Sequence, residues 1–342
     1  MSRLAKIMDV EPRSVSGWEK GEFGCDQVDE LAKALSFPAS FFLGEDLEQP
    51  HPHSASFRAM SKMTAAQRDM ALGSGAIALA LNAFIESRFE LPAADLPIIN
   101  GTDPESAAIG LRRQWGLGEL PIKNVVHLLE SKGVRVFSLA VDTAAVNAFS
   151  MWRGNTAFVF LNTMKSAENS RFDAAHELGH LVMHRHGPPQ GQSAEREADA
   201  FASAFLMPRA SLFARRPTFA TVDHLIRLKK YWTVSVAALA YRLHAIGAIS
   251  DWHYRSLFVE ISSRGYRTEE PGGSQRETSQ VLAKIFAALR EDGISKIDIA
   301  NELCVPVEEI DQLVFGLALT VLAGSRSRGR SNRKRPQLRI VS

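Results

Sequence analysis

The decapeptide "RFDAAHELGH" (171–180) sets His176 and His180 four residues apart, with Glu177 directly after the first. On an α-helix, residues i and i+4 share a face, so both imidazoles are offered to one point about a turn apart. That is the geometry two zinc ligands require. Glu177 lies about 100° around the helix from His176, near enough to hold a water at the metal without ligating it. Five residues thus supply two ligands and a general base. The competing reading is an amphipathic helix that happens to carry two histidines, and a third ligand decides between them.

The segment "SAEREADAFASAFLMP" (193–208) is helical by pattern, with Ser193 as N-cap, acids in its first turn and Pro208 as its stop. Glu195 and Asp199 lie four apart on one face, whereas Glu197 is turned about 200° from Glu195 and points elsewhere. Glu195 is therefore the expected third ligand, with Asp199 behind it, accepting the outward N–H of a ligand imidazole and fixing its tautomer. His186 is a rival six residues after His180, but that spacing needs a glycine turn where the chain has Met183. His184 reads as a plain helix-end histidine, and Asp173 as a helix-start acid rather than a partner of the site.

Two neutral histidines and one carboxylate leave Zn²⁺ a position for water, whose pKa falls to about 7. Glu177 is the expected proton acceptor as that water attacks a carbonyl, and the donor to the leaving amine. Tyr231, Tyr241, Tyr254 and several histidines are undistinguished candidates for a second oxyanion donor. The strand "TAFVFLN" (156–162) offers an edge on which an extended peptide substrate can pair.

The elements that must carry these residues follow from pattern. A chain of 342 residues, 45% hydrophobic, is long enough for two or three domains. Its N-terminus has no apolar secretory run and no stretch reaches about 18 consecutive apolar residues, so the reading is a cytoplasmic protein with no membrane partner. Cys25 and Cys304 stand far apart, which excludes a disulfide framework and a thiolate metal site. The net charge of +2 is uneven: residues 325–342 carry seven Arg and Lys and no acid, leaving −5 for the rest. That tail is expected to be disordered, and either favours a polyanion or is a solvated end.

Short helices occupy 1–45, with Pro12 in the first turn of one and Asp26 as the N-cap of the next; a Pro-containing acidic linker and one long apolar helix over 64–92 fill 46–97. Residues 98–250 hold helices, β-branched runs at 134–139 and 156–162, and the histidine helix; 251–322 is a helical C-terminal region, and 323–342 the basic tail. The expected fold class is mainly α with a small α+β zinc-peptidase domain between helical N-terminal and C-terminal modules.

"RFDAAHELGHLVMH" followed by "EREADAFASAFLMP", and preceded by "GLRRQWGLGELPIKNVVHLLESKGVRVF", resembles the ImmA/IrrE-type, gluzincin-like zinc metallopeptidases over about 105–250. The resemblance implies His176, His180 and Glu195 as Zn²⁺ ligands and Glu177 as base. It also implies a protein substrate of the repressor type and a stress-response role.

The stretch "LAKIMDVEPRSVSGWEKGE…VDELAKALSFPASFFL" resembles the XRE helix-turn-helix that precedes this peptidase in fused regulators. It lacks the helix that opens such modules. Its second helix would enter the major groove with Arg13, Ser14, Ser16, Gly17 and Lys20 outward and Val15 and Trp18 inward. DNA binding through 1–45 stands beside a residual packing or homodimer role. Two functions stay open: a zinc endopeptidase that cleaves a regulatory protein, and a transcriptional regulator or antitoxin-like binder with a structural or silent metal site.

Overall fold

The computed structural model describes residues 2–22, 24–50, 64–139, 148–185 and 191–318. Among these the chain is mainly α-helical with one small sheet, the fold class its patterning predicts. The sheet contains β1 (Arg135–Ser138), β2 (Ala148–Arg153) and β3 (Thr156–Leu161) in the order β1-β3-β2. β1 runs parallel to β3 and β2 antiparallel to it, with Phe149 opposite Phe160 and Ser150 opposite Val159. The central strand is buried from Ala157 to Leu161, which is why it reads as a continuous apolar run and not as an alternation. Phe149 and Phe160 stack at 4.3 Å between centroids, fixing the register with cross-strand ring contact.

This topology corrects the expectation that 156–162 receives a substrate strand. β3 is central, and both its hydrogen-bonding edges are occupied by β1 and β2. A further strand must join an outer strand, because only there are backbone donors and acceptors unpaired. β2 itself escaped the pattern reading, since four consecutive buried residues leave it without a period of two.

Helix α5 (Ala65–Glu86) starts at Thr64, whose side chain and that of Gln67 bond each other's backbone N–H reciprocally. It runs unbroken through Gly73 and Gly75; at Gly75 a Cβ would stand 2.8 Å from Pro50, so the glycine serves close packing and not a break. By length and composition alone α5 is apolar enough to cross a membrane, and just over half of its most apolar window is buried inside the protein. Ile77, Leu79, Leu81, Phe84 and Ile85 place it in the main core.

Ahead of it come α1 (Ser2–Ile7), α2 (Pro12–Glu19), α3 (Val28–Leu35) and α4 (Ala39–Leu43), on or beside which Ala5, Met8, Val15, Leu31 and Ala32 are buried, while Phe37 and Phe41 pack against the main core. α2 has Pro12 at its first position as expected, but α3 is preceded by Gln27 and not by Asp26, and no side chain caps it.

After α5 come α6 (Pro104–Gln114) and α7 (Val125–Ser131), then the sheet, then α8 (Ala167–Met183) and α9 (Gln192–Leu206). α8 lies against β2 and β3 on one side and against α9 on the other, and α6 backs α9. The remaining helices are α10 (Arg209–Arg215), α11 (Val222–Trp232), α12 (Val236–Ala245), α13 (Asp251–Ser263), α14 (Gln280–Glu291), α15 (Lys296–Glu302) and α16 (Val307–Val314). Leu282, Ile285, Leu289, Ile299, Ile310 and Leu313 of the last three belong to the same hydrophobic core as the sheet.

Polar links reinforce this union. The Glu130 carboxylate of α7 accepts from Ser279 and from the Gln280 N–H at 3.0 Å, capping α14. Glu277 accepts from the Val125 N–H at 2.7 Å and the Val126 N–H at 3.1 Å, capping α7, and pairs with the buried Arg171 of α8. Lys229 of α11 is buried between Glu168 of α8 and Glu270, 3.0 Å from each.

Candidate metal centre

α8 leaves the sheet through Ser166, whose hydroxyl accepts from the Asn169 N–H, and carries His176 and His180 on one face. Their Nε2 atoms lie 3.1 Å apart. Convergence with a third group depends on how closely α9 approaches, and Gly179, between the histidines, sets that approach. A Cβ there would meet a Phe201 ring carbon at 3.0 Å and the Ala198 Cα at 3.3 Å. Ala174 and Ala175 of α8 and Ala198 and Ala202 of α9 are fully buried.

α9 begins after Gly191, which sits at φ +71°, so the cap expected at Ser193 is instead a glycine in the left-handed region. Its first turn brings the Glu195 carboxylate within 3.5 Å of His176 Nε2 and 3.3 Å of His180 Nε2. One ligand atom from each of His176, His180 and Glu195 falls within 4.8 Å of the others. Asp199, one turn further along α9, stands 2.8 Å from His176 Nδ1.

The buried Glu195 Oε1 has no hydrogen-bond donor, despite its 3.3 Å separation from His180 Nε2. A buried carboxylate oxygen without a donor is costly. A divalent cation seated among two imidazoles and this carboxylate would satisfy it, and that donor set suits Zn²⁺.

Without a cation the cluster balances its own charge. Burial is the largest influence on His176 and disfavours its charged form, yet the Asp199 and Glu195 contacts together prevail and raise its pKa to about 10. Burial likewise works against ionised Glu195, and the two imidazoles outweigh it, holding the carboxyl at about 2.

Glu177 is buried, 1% exposed, with Oε2 receiving a 2.7 Å hydrogen bond from Ser150 of β2. Spacing along α8 gave no hint of Ser150, which reaches the site only through strand pairing. Spacing alone likewise makes His184 a plain helix-end histidine and points Glu197 away from the site. In the fold His184 Nδ1 lies 2.9 Å from His180 Nδ1, and its Nε2 lies 3.3 Å from Glu197, so Glu197 faces the site's periphery and not elsewhere. Asp173 is neither a helix-start acid nor a partner of the histidines: it sits in the second turn of α8 and pairs with Lys165 at 2.9 Å. His186 lies outside the described residues.

Residues 129–244 match the IrrE N-terminal-like domain of the M78 peptidases. The matched segment is about a third of the chain and holds all three strands, α8, α9 and every residue of the cluster. No curated protein matches the sequence.

The match does not extend to α1–α4. There Arg13 and Lys20 are exposed, Lys20 standing 3.8 Å from Glu22, while Ser14, Ser16 and Trp18 are half-buried. Gly17 is buried beside Val15, which corrects its expected outward position. Of the tyrosines, the Tyr231 ring meets Trp232 and Arg215, Tyr254 stacks on His244 at 4.4 Å, and Tyr241 is exposed.

Proposed function

We propose that this chain is a zinc-dependent endopeptidase that cleaves a regulatory protein of the repressor type, coupled through residues 1–45 to a DNA-binding-like module. The convergence of His176, His180 and Glu195 from two helices, with a donorless buried carboxylate oxygen 3.3 Å from His180 Nε2, carries the metal and hydrolytic part. The choice of a repressor as substrate rests on the resemblance to ImmA/IrrE-type enzymes.

His176, His180 and Glu195 would hold the ion. A Zn²⁺ held by these three side chains would supply Lewis acidity toward a water and a substrate carbonyl. Asp199 accepts the His176 Nδ1–H and leaves the Nε2 lone pair free to ligate. Glu177, directly after the first ligand on α8, is the group to take a proton from the attacking water and return it to the leaving amine. Ser150 donates to Glu177 Oε2 and so holds the carboxylate in one orientation. Among the described residues the cluster has three ligand side chains, whereas a structural zinc site closes with four.

Glu177→Gln tests this. Purified wild-type protein and the variant should each hold one zinc per chain by elemental analysis. New protein N-termini, read by mass spectrometry, should arise in cells producing the wild type and vanish with Glu177→Gln. Equal termini from both would refute the peptidase reading.

A further inference from the structure

The two ligand histidines are anchored differently. His176 Nδ1 meets the half-exposed Asp199 directly, whereas His180 Nδ1 meets another imidazole, that of His184, at 2.9 Å. The His184 side chain is 7% exposed, and its other nitrogen faces the Glu197 carboxylate at 3.3 Å. His184 ends α8 and Glu197 lies on α9, so this path also bridges the two ligand-bearing helices.

The direction of the hydrogen bonds is determined by the ends of the path. A carboxylate only accepts, so His184 Nε2 carries the proton toward Glu197. Neutral His184 then presents a lone pair at Nδ1 and accepts from His180 Nδ1–H. His180, having spent its proton there, is left with a bare Nε2 directed at Glu195 and His176. We propose that Glu197 and His184 are positioning residues that fix the tautomer and ring orientation of His180 for metal binding. The proposal rests on the metal-site reading and extends it from Asp199 to the second imidazole.

The test is Zn²⁺ titration of the full chain against a competing chelator. His184→Leu should weaken zinc binding roughly 10- to 100-fold, the usual cost of losing a partner behind a ligand. His184→Asn, whose amide oxygen can accept at the place of Nδ1, should restore most of it. Glu197→Leu should weaken binding, and the double variant His184→Leu/Glu197→Leu should be no weaker than His184→Leu, because Glu197 acts only through His184. Long-range ¹H–¹⁵N spectra of the zinc-loaded wild type should show His184 protonated at Nε2 and bare at Nδ1, a signature that mere packing does not require. This spectrum also decides the matter if His184→Leu fails to fold. Unchanged affinity in His184→Leu, equal losses in His184→Leu and His184→Asn, or His184 protonated at Nδ1 overturns the proposal while zinc binding by the wild type stands. A wild type that takes up no zinc overturns the metal-site reading, and this inference with it.

Discussion

His176 and Glu195 share a proton economy that any zinc must disturb. With His176 raised from the ordinary 6.5 to about 10, its contribution to the stability of the zinc-free fold is complete below pH 6.5 and fades as pH climbs through 10. Glu195 is lowered from 4.5 to about 2, so its share is complete above pH 4.5 and fades as pH falls through 2. Zinc-free protein should therefore lose thermal stability between pH 6.5 and 10, and much less so in a His176→Gln variant. Near pH 7.5 zinc binding should expel about one proton per chain, the one on His176. Calorimetry in buffers of different ionisation enthalpy measures that proton, and zero release would show that His176 enters the site already neutral or does not ligate. His176, Glu177, His180, Glu195 and Asp199 were legible because each relation lies within one helix, where a spacing of four dictates a shared face. Ser150, His184 and Glu197 were not. Their roles depend on which strand pairs beneath α8 and on the rotation of α9 against it, neither of which is encoded in spacing along one element.

The contact between α8 and α9 is what converts two separately readable motifs into one site. Gly179 faces Phe201 and the backbone of Ala198 so closely that a Cβ there requires the Phe201 ring or the α9 backbone to give by a few tenths of an ångström. Gly179→Ala gains up to about 1 kcal/mol of helix propensity but meets an overpacking cost of about 1–3 kcal/mol. The expected result is weaker zinc binding with little gain in stability. Gly73→Ala and Gly110→Ala, where a Cβ meets nothing within 4 Å, should raise stability by roughly 0.5–1 kcal/mol and leave zinc affinity unchanged. Thermal melts and zinc titration of the three variants check this, and undiminished zinc affinity in Gly179→Ala would show that helix approach does not limit the site. The same kind of interaction explains what pattern reading misplaced. The starts of α3 and α9 are set by Gln27 and by Gly191 at positive φ, and not by the good capping residues Asp26 and Ser193 beside them. Tertiary placement of the entering chain outweighed a local preference worth about 1 kcal/mol.

The matched peptidase segment ends at 244, but the core it needs does not. α14–α16 contribute Leu282, Ile285 and Ile310 to the hydrophobic cluster that also contains the sheet, and two carboxylates exchange caps across the join, Glu130 on α14 and Glu277 on α7. Glu277 also neutralises Arg171, which is 2% exposed on the helix that bears His176 and His180. The helices beyond 251 were legible as helices from their periodicity. Their union with the matched segment was not, because Glu130 and Glu277 are distant in sequence from what they cap. Glu277→Ala leaves the Arg171 guanidinium buried without its counter-charge and strips the first turn of α7, an expected loss of about 3 kcal/mol. Glu308→Ala, at an exposed first-turn acid of α16, should cost at most about 0.5 kcal/mol. Chemical denaturation of both variants distinguishes two architectures: a large gap between them means that the C-terminal helices brace the helix of His176 and His180, and equal small losses mean that the matched segment stands without them.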